Sequence, residues 1–184
     1  MNWKDAVDGK LLRVIESQMK RNDVETLYAA AVLVSNNDLL AGTEVYRTKN
    51  IIIATGSSAA LPAIPGIDAQ IVMTNREILS LDHLPKRLAI IGGGFIGVEF
   101  AAYFSNVGVE VTLIEALPEI LPSIDPEFAR EIRKSMKAVD FHLSSKVTRL
   151  QDEVLYYLCD DAEEKRCECD LVLCASGRSP NTQH

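Results

Sequence analysis

A chain of 184 residues holds one large domain, or one domain with a piece of another, and is long enough to bury a core without disulfide or metal staples. With 47% hydrophobic and 24% charged residues it reads as an ordinary globular protein, and a net charge of -7 argues against nucleic acid as a partner, because an acidic surface repels a phosphate backbone. No apolar run is long enough to span a bilayer, and Met1-Asn2-Trp3-Lys4-Asp5 opens neither a secretory signal nor an Arg-rich transit peptide, so a cytoplasmic protein free of the membrane is expected.

The first predicted element is an amphipathic helix over 4–20, with Val7, Leu11, Leu12, Val14, Ile15 and Met19 at helical spacing. Val24–Val34 and Leu39–Tyr46 are β-rich, with Ser35-Asn36-Asn37-Asp38 as a turn between them. Asn50–Gly56 reads as a short buried strand, which makes 24–54 a small antiparallel meander. Leu61-Pro62-Ala63-Ile64-Pro65-Gly66 reads as a linker, since two prolines and a glycine cannot continue helix or sheet. A short helix is expected over 75–84.

From Leu88 the pattern is sharper. Leu88–Ile91 is a buried strand, Gly92–Gly97 a glycine turn, Val98–Val107 a helix closed by Gly108, and Val109–Glu115 the next strand. Asp125 caps a second helix with Pro126 at its first position. Further strands are expected at Asp140–Ser144, Val147–Leu150, Val154–Leu158 and Arg166–Cys174. The fold class is therefore α/β.

Gly92-Gly93-Gly94-Phe95-Ile96-Gly97 places G-x-G-x-x-G between a strand and a helix, the context the motif requires. Gly92 allows the tight turn, Gly94 lets the backbone approach a pyrophosphate, Gly97 lets helix pack on sheet, and the helix start offers N–H groups to phosphate. The bland alternative is a purely structural turn. Glu115, at the end of the next strand, can accept hydrogen bonds from a ribose 2′-hydroxyl and repels a 2′-phosphate, and 116–124 contains no Arg or Lys. The pair selects NAD over NADP, the alternative for Glu115 being a solvated surface acid.

Four segments in order resemble one family. Thr74–Asp82 with Leu84-Pro85-Lys86, Ile90–Ala101, Glu110–Glu115 with Ile120-Leu121-Pro122 and Asp125, and Cys169–Thr182 are similar to stretches of the dihydrolipoamide dehydrogenase family, among the flavin-dependent pyridine-nucleotide disulfide oxidoreductases. Lys49-Asn50 through Ala54-Thr55-Gly56-Ser57 resembles that family's second flavin motif. The resemblance implies a Rossmann-like NAD-binding domain over 61–184, with a parallel sheet, helices and an antiparallel meander, after an FAD-domain remnant over 1–60. It implies that Phe95 covers the flavin, that Glu99 stands near it, and that Val147 and Gly177 line the adenosine and nicotinamide ends, with Ile96 in the glycine turn. Thr55, Gly56 and Ser57 would be part of an FAD site. Glu99 has an alternative as a helix-start carboxylate in the first turn of its helix, and Val147 one as simple strand packing.

The resemblance also implies parts not found in these residues: a second glycine loop for flavin, an early redox cysteine pair, and a C-terminal dimerisation domain with a His-Glu pair. The chain is thus expected to be a fragment of a homodimeric enzyme that passes electrons from dihydrolipoamide through FAD to NAD. No residue here is assigned a catalytic or metal-binding role. Cys159, Cys167, Cys169 and Cys174 read as free thiols. Cys169 and Cys174 share the spacing of a redox pair, but on one strand they would face opposite sides some 16–17 Å apart. The alternatives are a mercuric or coenzyme A disulfide reductase, and a noncatalytic NAD(H)-binding module.

Overall fold

The structure is a computed structural model that describes residues 2–182, and it divides into two compact units, 57–180 and 2–56 with 181–182. In the smaller unit, α1 (Asn2–Arg21) has Asp5 in its first turn and Lys20 and Arg21 in its last, each at the end of the helix dipole that favours its charge. Its apolar stripe is open: Leu11, Leu12, Val14 and Ile15 are all exposed. The strands β1 (Ala31–Leu33), β2 (Asp38–Ala41) and β3 (Glu44–Arg47) form an antiparallel meander. Ser35 starts the expected turn, its hydroxyl donating to Asp38 Oδ2 at 2.7 Å and accepting from Asn37 N at 3.2 Å.

The meander is shorter than its sequence suggests. Residues 24–30 form no strand, and the strand expected at Asn50–Gly56 does not form either. A run of three isoleucines needs a packed layer on each face and a strand at its edge. Among the described residues of this unit nothing supplies them, and Ile52 is 91% exposed.

The larger unit holds β4 (Ser57–Ala59), β5 (Val72–Met73), β6 (Arg87–Ile91), α2 (Phe95–Asn106), β7 (Glu110–Ile114), α3 (Pro126–Ser135), β8 (Val139–His142), β9 (Lys146–Gln151), β10 (Val154–Leu158), β11 (Glu164–Glu168), β12 (Leu171–Cys174) and β13 (Arg178–Pro180). Five strands form a parallel sheet in the order β5-β12-β6-β7-β8. A second sheet, β11-β10-β9, is antiparallel, and β13 pairs with β4.

The near-continuous apolar runs of β6, β7 and β12 follow from this layering, because both faces of the parallel sheet are covered. Leu88, Ile90, Leu113, Leu171 and Leu173 pack with Val98, Ala101 and Phe104 of α2 and Ala129 of α3. The alternate residues Ala89, Ile91, Ile114 and Val172 pack with Val147, Leu150, Leu155 and Tyr157 of the antiparallel sheet. Asp125 caps α3 as expected, its side chain accepting from Glu127 N at 2.9 Å. Gly108 leaves α2 at φ +89.

Two further expectations are corrected. The helix at 75–84 shrinks to one 3-10 turn, Ile78–Ser80, because Leu81 turns extended (ψ 136) before a helix can propagate. The single strand Arg166–Cys174 is two strands in two sheets. The break is at Asp170, whose carboxylate accepts from Lys86 N at 3.1 Å and Arg87 N at 2.9 Å, bending the chain out of β11 into the parallel sheet. Cys169 and Cys174 therefore do not share a strand, and all four cysteines are free thiols.

Candidate functional site

The parallel strands deliver their C-terminal ends to one edge, and the βαβ unit β6-α2-β7 runs to one side of β6 while β12 lies on the other. That reversal opens a crevice above β6 where open α/β sheets hold their ligands. The glycine turn occupies it. Gly92 has φ +108, and a Cβ there would lie 2.6 Å from Ala175 O, so only glycine fits. A Cβ on Gly97 would lie 1.9 Å from Gly92 O, and one on Gly93 would press on Ile120 and Glu115 at 3.1–3.2 Å. Gly94 differs from all three: a Cβ there would meet nothing within 4 Å, and its φ of -72 needs no glycine.

Gly94 is also the N-cap of α2, with no side-chain cap, and the first backbone bond is Val98 N to Gly94 O at 3.0 Å. The N–H groups of the first turn are thus left without intrahelical acceptors, at the end of the helix that carries partial positive charge. Glu115 follows β7 immediately. Its backbone is tied to β8 through Glu115 N to His142 O at 2.9 Å, and Ser145 N donates to Glu115 O at 2.8 Å. The residue is 9% exposed; Oε2 accepts from Gly93 N at 2.5 Å and Oε1 from Leu117 N at 2.7 Å. Glu115 is therefore not a solvated surface acid.

A cleft of about 220 Å³ opens beside these groups, lined among others by Ile91, Gly92, Ile114, Glu115 and Val147. Val147 is buried, and it both packs in the core and walls this cleft. Lys146 lines it too, which sequence reading missed. The loop next to Glu115 supplies no cation, whereas Lys146 arrives from β9; its place beside Val147 is the available sequence signal.

Phe95 is 53% exposed at the first position of α2, with Ile96 half-buried behind it. Glu99 is exposed but lies beyond the first turn of α2, which holds no acidic residue, so the helix-start reading of Glu99 is corrected. Gly177 has φ +135 and open space where a Cβ would be. Beside it, Arg178 joins three segments: Nε donates to Ser57 Oγ at 2.8 Å, Nη1 to Asn75 Oδ1 at 3.3 Å, and Nη2 to Ser57 O. In the smaller unit, Thr55 Oγ1 donates to Asn181 O at 2.7 Å and Asn181 N to Gly56 O at 3.0 Å. The hydroxyls of Thr55 and Ser57 are thus engaged within the chain.

A parallel sheet with a glycine turn at its switch point and a carboxylate at the end of the next strand defines a Rossmann-like domain. The sequence model of the pyridine nucleotide-disulphide oxidoreductases matches residues 6–184, and the chain belongs to that family. It is 36% identical to the dihydrolipoyl dehydrogenase of Acholeplasma laidlawii over 98% of this chain and 55% of that protein. It is 36% identical to the mercuric reductase of Staphylococcus aureus over 74% of this chain and 26% of that protein. Among solved structures it is similar to the HOCl-induced flavoprotein disulfide reductase RclA from Escherichia coli, with TM-score 0.74 and 32% identity over 86% of this chain and 37% of that one. The chain thus spans about half or less of the length of these relatives. Among the described residues, no helix is long and apolar enough to cross a membrane.

Proposed function

We propose that the chain is the NAD(H)-binding part of a flavin-dependent dihydrolipoamide dehydrogenase. The observation that carries the nucleotide reading is the contrast at Gly94. The protein's own packing demands glycine at Gly92 and Gly97 but not at Gly94, where an open space faces uncapped N–H groups. A pyrophosphate fits that space, its charge met by the helix N-terminus and its oxygens by backbone N–H groups. Glu115 would accept the adenosine ribose hydroxyls, with Ile91, Ile114 and Val147 walling the cleft where the adenine would lie. Gly92, Gly93, Gly97 and Ile96 shape the turn; Phe95, Glu99 and Gly177 would belong to the nicotinamide end. When bound, NAD supplies a hydride acceptor, and the protein's part is to hold and orient it.

The substrate of the whole enzyme is read as dihydrolipoamide, with electrons passing through FAD to NAD, and Thr55, Gly56 and Ser57 as a minor part of the flavin site. A homodimer in the cytoplasm is the expected setting. The likeness to a mercuric reductase keeps that second disulfide-reductase chemistry open for the same nucleotide domain. The test is calorimetric titration of the chain with NADH and NADPH. Binding of NADH with clear preference over NADPH supports the reading, and equal affinities or no binding would overturn it.

A further inference from the structure

We propose that Glu115 is also a positioning residue for the glycine turn, so that ribose recognition and pyrophosphate binding are coupled through one carboxylate. This rests on the NAD(H) reading above. The two oxygens of Glu115 are held by N–H groups from different segments, Gly93 in the phosphate turn and Leu117 in the loop after β7. The Gly93 peptide is gripped on its other side as well, since Leu121 N donates to Gly93 O at 2.8 Å. Gly93 is buried, and a Cβ on it would lie 3.2 Å from Glu115 Cβ and Cγ, so the side chain lies directly against the turn. The loop 115–121 therefore clasps Gly93, the residue that precedes Gly94, at both its N–H and its C=O.

A carboxylate has about four lone-pair directions and the backbone uses two, which leaves room for ribose hydroxyls without releasing the turn. Removing it leaves the N–H groups of Gly93 and Leu117 without their acceptor, and a buried unpaired N–H makes the tight turn costly to keep. Gly94, the residue at the pyrophosphate position, follows directly. Glu115 then acts on phosphate that it does not touch.

The experiment titrates wild type and Glu115→Ala with ADP, 2′,3′-dideoxy-ADP and 2′,3′-dideoxyadenosine, and measures amide exchange at Gly93 and Leu117 by NMR without ligand. Coupling requires that the variant lose about tenfold or more in affinity for both diphosphates, including the one with no ribose hydroxyl, while 2′,3′-dideoxyadenosine, which Glu115 does not touch, binds as before. Gly93 and Leu117 amides should exchange faster in the variant. Unchanged binding of 2′,3′-dideoxy-ADP would reduce Glu115 to a ribose acceptor, and equal loss of all three ligands would make it a general scaffold residue; either overturns the coupling. If Glu115→Ala does not fold, Glu115→Gln keeps the volume but sets a donor against one of the two N–H groups, and must show the same pattern. Wild-type amides that exchange freely would overturn the coupling while leaving the NAD(H) reading intact. Protected amides in a chain that binds neither ADP nor NADH would instead sink the NAD(H) reading and take the inference with it.

Discussion

Gly97 and Gly92 approach so closely that a Cβ on Gly97 would sit 1.9 Å from the Gly92 carbonyl oxygen, while a Cβ on Gly94, between them, would meet nothing. The same motif thus contains glycines of two kinds. Gly97→Ala should destabilise the domain by about 3 kcal/mol or more, since the contact is with backbone that has little room to yield. Gly94→Val should leave the melting temperature close to wild type and abolish NADH binding, because its side chain would fill the pyrophosphate space. Thermal unfolding and NADH titration of both variants check the contrast. A Gly94→Val protein that folds and binds NADH normally would reduce the glycine run to a turn.

On the proposed NAD(H) reading, cofactor choice would be set by Glu115 and tempered by Lys146. Both line the same cleft, and 116–124 supplies no cation. Glu115→Ala should lower affinity for NADH while narrowing its advantage over NADPH, since acceptor and repulsion leave together. Lys146→Ala should act in the opposite sense, weakening NADPH by about two- to fivefold more than NADH, the size of an exposed charge interaction. Competition titrations with the two cofactors read both effects.

The βαβ unit was legible because each of its signals was local: an apolar run, glycines at fixed spacing, and a carboxylate where the next strand ends. Elements whose existence depends on distant partners were not. Ile51-Ile52-Ile53 has strand composition but finds no strand to pair with in its unit, and Arg166–Cys174 looks continuous until Asp170 is seen to bind the start of β6. Arg178 was visible in Gly-Arg-Ser-Pro, yet nothing local says that it reaches Ser57 and Asn75. For the site, Gly92, Glu115 and Val147 do converge on one cleft. What the sequence hid was the second use of Glu115, because a hydrogen bond back to Gly93 leaves no periodic trace.

Leu113 lies on β7, inside the parallel sheet, fully buried against the α2 side. Leu113→Ala should cost about 2–5 kcal/mol, the range for a large core side chain replaced in a site that cannot collapse. Urea unfolding gives the value, and a loss below about 1 kcal/mol would mean that the layer is not close-packed.

Asp170 links stability to acid. The Arg87 guanidinium, then the N–H groups of Arg87 and Lys86, hold its carboxyl below the usual carboxylate value. A depressed folded value means that the contribution is present above the unfolded pKa of about 3.9 and is lost as pH falls through the lower folded one. Unfolding midpoints measured below about pH 4 should therefore drop steeply in wild type and less so in Asp170→Asn. The variant should also be less stable at neutral pH, since Arg87 loses one of its two carboxylate partners and keeps only Glu168. Parallel acid profiles for the two proteins would show that Asp170 is not part of the acid response.

The cysteines set the opposite limit. Burial pushes the Cys167 thiol up to about 12 and the Cys169 thiol up to about 11, and Cys169 and Cys174 are almost wholly inaccessible. A raised folded value means that the stabilising contribution is full below the unfolded thiol pKa of about 8.5 and is lost as pH climbs through the folded values. The chain should therefore weaken in alkali well before its arginines titrate, and Cys169→Ala should flatten that decline while lowering stability at neutral pH. At about pH 8 a thiol reagent should label the half-buried Cys159 first and leave Cys169 and Cys174 untouched until denaturant is added, because both access and thiolate fraction control the rate. Mass spectrometry of the labelled peptides over time separates the four sites. Rapid native labelling of Cys169 would show that the joint between the two sheets opens far more often than its packing allows.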